Sequence, residues 1–245
     1  MSRLHRSLLR VLVADIVSGR LPAGERLPPE AALARRFDVS RGVARECIRG
    51  LEERGLVAVK HGRGATVLSD AHWDAFNPDV IAAMLDSPRA AGVLGEYLEC
   101  RRLLEISAAG LAAERATREQ LVTLSDALER MTAAAVQAPV SPSAEDRYHE
   151  ADVAFHRAVI AAAGNRALGG MTEPVHRALA AARRPLARPD QRIERSLPEH
   201  RRILAAIAAR DPEEARAAMR DHLLTVERYL REYAEDWTPE SRRAS

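Results

Sequence analysis

The stretch Leu27–Val67 reads LPPEAALARRFDVSRGVARECIRGLEERGLVAVKHGRGATV, and its punctuation sets out short elements in a definite order. Glu30 to Phe37 carries the apolar period of a short helix, Asp38-Val39 makes a tight turn, and Ser40 offers a hydroxyl oxygen to the free amides of a new helix beginning at Arg41. On that helix Arg41, Arg45 and Arg49 recur every four residues and share one face, while Val43, Cys47, Ile48 and Leu51 form an apolar stripe that holds the helix down. Gly55 supplies the left-handed residue that ends helices. Leu56 to Lys60 then reads as a strand, His61-Gly62-Arg63-Gly64 as a turn and Ala65 to Leu68 as the returning strand. The predicted order is helix, turn, helix, hairpin.

A helix that shows arginines near its N-terminal end, set in a two-helix corner, has the geometry of an element that enters a DNA major groove, where a guanidinium pairs bidentately with guanine. Most basic helix faces are merely solvated; the corner before this one and the hairpin after it set it apart. Glycines at the hairpin tip take bulk off the backbone, and His61 and Arg63 flank Gly62 as donors to phosphate or minor-groove edges. Charge divides the same way. Residues 1–70 hold 13 Lys or Arg against 8 Asp or Glu, and residues 71–245 hold 24 against 27, so the net positive charge lies in the segment expected to meet phosphates.

Residues 7 to 68 resemble the winged helix-turn-helix of GntR-type bacterial transcription regulators. The resemblance is carried by Gly19 with Leu21-Pro22-Ala23-Gly24, Leu27-Pro28 with Glu30, Leu33-Ala34, Val39-Ser40-Arg41, Arg45-Glu46, Leu51, Gly55-Leu56-Val57 and Gly62-Arg63-Gly64. It implies that Arg41 and Arg45 read bases or phosphates and that His61 and Gly62 form the wing contact; Ser40, Arg49 and Arg63 complete the candidate interface. Ala31 stands where many relatives carry a DNA-contacting arginine, and Gly42 where a small hydroxyl residue is common. One contact per half-site is therefore expected to be absent or supplied by Arg35.

After Leu68 the pattern turns helical throughout. Trp73 to Pro78 is a polar, proline-closed linker, Val80 to Leu85 a short helix, and Ser87-Pro88 an N-cap with proline at the first helical position. A long helix to about Ala116 follows. Thr117 with Gln120 makes a capping box for a helix to about Ala138, and Pro139 to Ser143 breaks the chain. The next helix ends at Gly164, another spans about Leu168 to Arg183, Arg184 to Pro189 loops out, and a helix runs through His200 to Ala209. Asp211-Pro212-Glu213-Glu214 starts the last. The fold class is mainly α, with a winged helix-turn-helix over residues 1–70, a linker and short helix over 71–87, an antiparallel all-helical bundle over 88–236 and a tail over 237–245.

Within the bundle, Asp152 and His156 lie four apart on one helix and project to the same side, and His200 and His222 come from separate helices. Residues 93 to 230 are similar to the all-helical effector domain of the FadR-type branch of GntR regulators. The matching pieces are Tyr97 to Glu105, Leu111-Ala112-Ala113, Asp152-Val153-Ala154-Phe155-His156, Gly164-Asn165, Glu199-His200, Ala206-Ile207 and Met219 to His222. The resemblance implies that Asp152, His156, His200 and His222 bind a divalent metal. Three imidazoles and a carboxylate suit zinc first, with nickel or manganese as alternatives, and leave an open side for ligand oxygens. His149 and His176 are neighbours of that site or ordinary surface histidines. Arg101 matches an arginine that faces the effector cavity in the family and is a natural carboxylate clamp, with Asn165 as a further effector residue, whereas Arg102 is expected to point outward. Residues 73 to 85, WDAFNPDVIAAML, resemble a linker of the branch that senses sugar acids.

Cys47 and Cys100 stand alone, without paired spacing, as expected in a reducing cytoplasm, and no run of about 18 apolar residues marks a membrane span. The expected protein is a cytoplasmic, ligand-responsive repressor. As a homodimer it would bind an inverted-repeat operator and be released by a small, sugar acid-like carboxylate beside the metal. A regulator whose effector is the metal itself is the first alternative. A metal-dependent hydrolase is the second, disfavoured because no H-E-x-x-H pattern supplies a positioned general base.

Overall fold

The computed structural model describes residues 3–60, 62, 64–137, 142–183 and 189–235. The chain divides into two compact units, Met1–Leu94 and Gly95–Ser245.

The first unit opens with α1 (Arg3–Val17), whose apolar face closes the core beneath the helix-turn-helix. The corner consists of α2 (Glu30–Arg36) and α3 (Arg41–Glu53), and the wing of β1 (Val57–Lys60) and β2 (Gly64–Val67), antiparallel with Val57 opposite Val67 and Lys60 opposite Gly64. Ser40 opens α3 as expected, its hydroxyl accepting from the Val43 amide at 3.2 Å. Leu12, Leu33, Cys47, Leu51, Leu56 and Val67 meet in one buried cluster, so both helices and the wing share a core. Residues 24–27 run along β2, with Leu27 N–H on the Ala65 carbonyl and Val67 N–H on the Glu25 carbonyl, each at 2.9 Å. Gly55 has φ +69°, and a Cβ there would overlap the His72 carbonyl oxygen, so both conformation and space require glycine.

The segment read as a linker is fastened to this core. Trp73 donates its indole N–H to the Leu68 carbonyl at 3.2 Å, and α4 (Pro78–Leu85) buries Val80 among the α1 and α3 side chains. Arg54 at the end of α3 pairs with Asp79 at 2.6 Å.

The second unit contains most of α5 (Ala90–Arg115), then α6 (Arg118–Gln137), α7 (Pro142–Ala162), α8 (Arg166–Arg183), α9 (Pro189–Ala208) and α10 (Pro212–Glu235). Helices pack α6 on α7, α9 on α10 and α6 on α9, with α8 alongside α7. The core alternates small and large side chains: Ala109, Ala112 and Ala113 of α5 face Leu124 and Met131 of α6, Phe155 and Val159 of α7, Ile203 and Ile207 of α9, and Met219 of α10. The capping box forms as expected. Thr117 N–H bonds the Gln120 side chain at 2.9 Å, and Gln120 N–H bonds the Thr117 hydroxyl at 3.3 Å. At the same end of the bundle the Arg210 guanidinium donates to the carbonyls of Ala113 in the last turn of α5 and of Ala116 just beyond it.

The helix through His200 begins at Pro189, at the end of the stretch expected to loop out, and carries Pro198 within it. Most of the loop expected at 184–189 and part of the break at 139–143 lie outside the described residues.

Candidate DNA-reading face and metal centre

On α3 the side chains of Arg41, Arg45 and Arg49 are exposed, as is Arg35 on α2, while Ala44, Cys47 and Leu51 are buried behind them. The two-faced helix is therefore present. Arg45 is not free on its face: Glu30, the first residue of α2, grips it through Nε at 3.1 and 3.2 Å and through one terminal nitrogen at 3.1 Å. That grip keeps the guanidinium firmly protonated and aims it across the α2–α3 corner. Arg49 approaches Glu53 at 3.5 Å. The Ser40 hydroxyl is engaged as the helix cap, and Gly62 at the wing tip has φ +73°. His61 and Arg63 lie outside the described residues.

In the second unit Asp152 and His156 on α7, His200 on α9 and His222 on α10 each bring one ligand atom within 4.8 Å of the others, all four buried. His200 Nε2 is 3.2 Å and His156 Nε2 3.8 Å from Asp152 Oδ1, and His222 Nε2 is 3.3 Å from His156 Nε2. The opposite ring nitrogens are engaged outward. His156 Nδ1 donates to Glu105 at 2.5 Å, His200 Nδ1 to the Ser196 carbonyl at 2.7 Å, and His222 Nδ1 to Glu199 at 2.8 Å.

A neutral imidazole has one N–H, so each ring that spends it on Nδ1 presents a bare lone pair at Nε2. Lone pairs 3.3 Å apart repel, and His200 Nε2 is buried without a hydrogen-bond partner among the described residues. Burial, opposed by Glu105, lowers the pKa of His156 to about 4; burial, reinforced by His200 and His156, holds His222 well below its ordinary value. His156 and His222 are thus held in the ligating form, and outward acceptors orient all three rings. A divalent cation at their meeting point would satisfy all four groups, and the donor set fits one.

Glu105, which as the last residue of the Tyr97–Glu105 motif carries no sequence signal of its role, organises this interior. Fully buried on α5, it accepts from Arg101 Nε at 2.6 Å, His156 Nδ1 at 2.5 Å and His176 Nε2 at 2.7 Å. Burial alone would raise its carboxyl, but the Arg101 charge and the two histidines bring it well below the usual range. Arg101 is buried and half committed to Glu105, and its NH1 is buried with no hydrogen-bond partner among the described residues. Arg102 is turned to Glu227 at 3.3 Å. Of the two neighbouring histidines, His176 belongs to the network, whereas His149 is half-buried against Tyr148. Asn165 caps α8 through bonds from the Ala167 and Leu168 amides at 3.1 and 3.2 Å and lines a cavity of about 420 Å³ between α7 and α8. Arg101 does not line that cavity; His176 does.

Comparison with known proteins bears on both units. Residues 5–67 match the family described as bacterial regulatory proteins, gntR family, and residues 96–225 match the FCD domain. The HTH-type transcriptional regulator LutR of Bacillus subtilis is 34% identical over 90% of this chain and 98% of its own. The galactonate operon transcriptional repressor and the Uxu operon transcriptional regulator, both of Escherichia coli, are 29% and 33% identical, covering 89% and 86% of this chain and 93% and 80% of theirs. Among solved structures, a GntR protein of Streptococcus agalactiae aligns with a TM-score of 0.50 at 27% identity, over 91% of this chain and 99% of that one. The Listeria monocytogenes regulator Lar, at 18% identity, aligns with a TM-score of 0.62 over 94% and 97%, and shows the shared fold alone.

Proposed function

The chain belongs to the GntR family of bacterial regulatory proteins and carries an FCD domain, and from that premise we propose a repressor released from its operator by a small hydroxylated carboxylate. It is a transcription regulator and not an enzyme. In this reading residues 1–70 read DNA through Arg35, Ser40, Arg41, Arg45, Arg49 and the wing residues His61, Gly62 and Arg63. Residues 88–236 hold the metal on Asp152, His156, His200 and His222, with the effector between the metal and Arg101.

One observation carries the effector site: Arg101 NH1 and His200 Nε2, a strong donor and a metal-directed lone pair, are both buried in the second unit without a hydrogen-bond partner among the described residues. Such orphaned atoms are costly unless a ligand and an ion complete them. When bound, the ion supplies open positions for carboxylate and hydroxyl oxygens. Arg101 NH1 receives the remaining carboxylate charge, while Glu105 keeps the guanidinium in place. The galactonate operon relative supports a sugar acid as first choice. A single recognition helix reads few bases, so the functional unit is a homodimer on an inverted repeat. Release requires the ligand to favour one arrangement of the two reading heads by only about 1–3 kcal/mol.

The test is a panel of sugar acids, short hydroxy acids and dicarboxylates against the metal-loaded protein, by thermal shift and then by release from operator DNA. Stabilisation and release by at least one hydroxylated acid, and neither by the matching neutral sugar, is the expected result. Operator affinity that follows metal loading alone and ignores every acid would instead favour a metal-sensing regulator, a reading supported by the four protein ligands that meet in the second unit.

A further inference from the structure

We infer that Glu30 is a specificity-determining residue of the DNA-reading face: it holds Arg45 in the one presentation that pairs with guanine, and its carboxylate opposes binding to duplexes that lack that guanine. This rests on the proposed reading of DNA by α3, and it adds how the head separates its operator from other DNA.

The clamp uses one edge of the guanidinium. Glu30 Oε1 and Oε2 accept from Arg45 Nε at 3.1 and 3.2 Å, and Oε2 also accepts from NH2 at 3.1 Å. A guanidinium carries five N–H groups in a rigid plane. With Nε–H and one NH2 proton engaged, the edge between NH1 and NH2 keeps two parallel donors. That fork matches O6 and N7 of guanine, whereas adenine sets its amino donor where O6 would be. An arginine without the clamp swings on several rotatable bonds and takes whichever phosphate oxygen it meets, a contact that carries no sequence information. The clamped one keeps a single edge in a single direction.

Folding stability does not account for the pair. The Arg45 and Glu30 side chains are 69% and 37% exposed, and an ion pair so open to water contributes little to stability. For DNA binding the carboxylate is a liability in general. Glu30 is the first residue of α2, on the corner whose exposed cations include Arg35, Arg41, Arg45 and Arg49. Phosphates repel it on every sequence, so it lowers affinity for all duplexes alike. Only a base that completes Arg45 offsets that loss, and specificity is the difference between the two.

The test begins with full-length protein and a randomised duplex library, from which the wild type selects its preferred sequence. Wild type, Glu30→Ala and Glu30→Gln are then titrated by fluorescence anisotropy, all at one salt concentration. The duplexes are the selected one, versions of it with one G·C pair at a time changed to A·T, and a scrambled one. Glu30→Ala is expected to bind the scrambled duplex about two- to fivefold more tightly, the effect of removing one negative charge from a phosphate-facing surface. Its ratio of selected to scrambled affinity should fall by about tenfold, with the lost preference confined to one guanine of each half-site. Glu30→Gln, uncharged but still able to accept one N–H, should lie between. A damaged head would lose affinity for the scrambled duplex instead of gaining it, and melting temperature reports folding independently. In an Arg45→Ala background, Glu30→Ala should leave the base preferences unchanged, because no guanidinium remains to be held. Wild-type base preferences and ratio in Glu30→Ala overturn the inference. An equal loss on selected and scrambled duplexes overturns it too, as does the same change of preference with and without Arg45; in each case the reading of DNA by α3 stands. Wild-type protein that enriches no sequence from the library removes both.

Discussion

Shielded from water, the Glu105 carboxylate stays ionised because Arg101, His156 and His176 all donate to it. An amide at that position offers one acceptor oxygen and an NH2 group that would face N–H donors. Glu105→Gln therefore leaves His156 without its orienting acceptor, and we expect metal affinity to fall about 10–100-fold, measured by competition with a chromophoric chelator. Unchanged affinity would mean that His156 takes its orientation from elsewhere. Cys47 offers a pH-dependent prediction. Burial first, then the charge of Glu46, raises its thiol from an ordinary value near 9 to about 11. The folded state thus favours the neutral thiol; this stabilisation is fully present below about pH 9 and is lost as pH rises through about 11. At pH 8 an aromatic disulfide reagent should modify the exposed Cys100 in the native protein and reach Cys47 only on unfolding. Rapid native reaction of both thiols would contradict the burial of the α3 core.

Elements are fixed by their ends as much as by their faces. The end of α3 depends on Gly55, where a methyl group would be strained at φ +69° and would overlap the His72 carbonyl. Gly55→Ala is expected to destabilise the protein by at least about 2 kcal/mol, read from urea unfolding, and operator affinity should fall with it because the wing follows directly. A loss of less than about 0.5 kcal/mol would show that the turn can open at little cost. The α2–α3 corner sets the aim of Arg45 through Glu30. Arg45→Ala should cost about 1–3 kcal/mol on the specific operator and less on random DNA. Equal losses on both would make Arg45 a phosphate contact.

For the whole molecule, the metal ligands all lie on helices of the second unit, and the winged helix has its own core. Metal removal is therefore expected to lower the thermal transition of the second unit and leave that of the first in place. Free metal at about 100 times its Kd contributes roughly 2.7 kcal/mol by mass action, enough to separate the two transitions in a calorimetric scan. Elemental analysis of untagged protein should find about one divalent ion per chain. Metal content unchanged in a His156→Ala, His200→Ala double variant would remove this site. No helix among the described residues is long and apolar enough to cross a membrane.

What the sequence determined alone was whatever depends on near neighbours along the chain. The Ser40 cap, the Thr117–Gln120 box, the arginine and apolar faces of α3 and the i, i+4 pairing of Asp152 with His156 are set by helical period and local hydrogen bonds, and each was legible in the residues. Family resemblance added His200 and His222 to that pair. The tertiary structure alone decided which groups complete the interior. Glu105 meets His156 across 51 residues and His176 across 71, and helical period says which face a residue occupies but not which helix lies opposite. For the same reason the Glu30 clamp on Arg45 and the bond from His176 to Glu105 had no local signature. Burial is what gives those contacts their force, because an ionised carboxylate surrounded by apolar helices must be matched by donors that only packing can deliver.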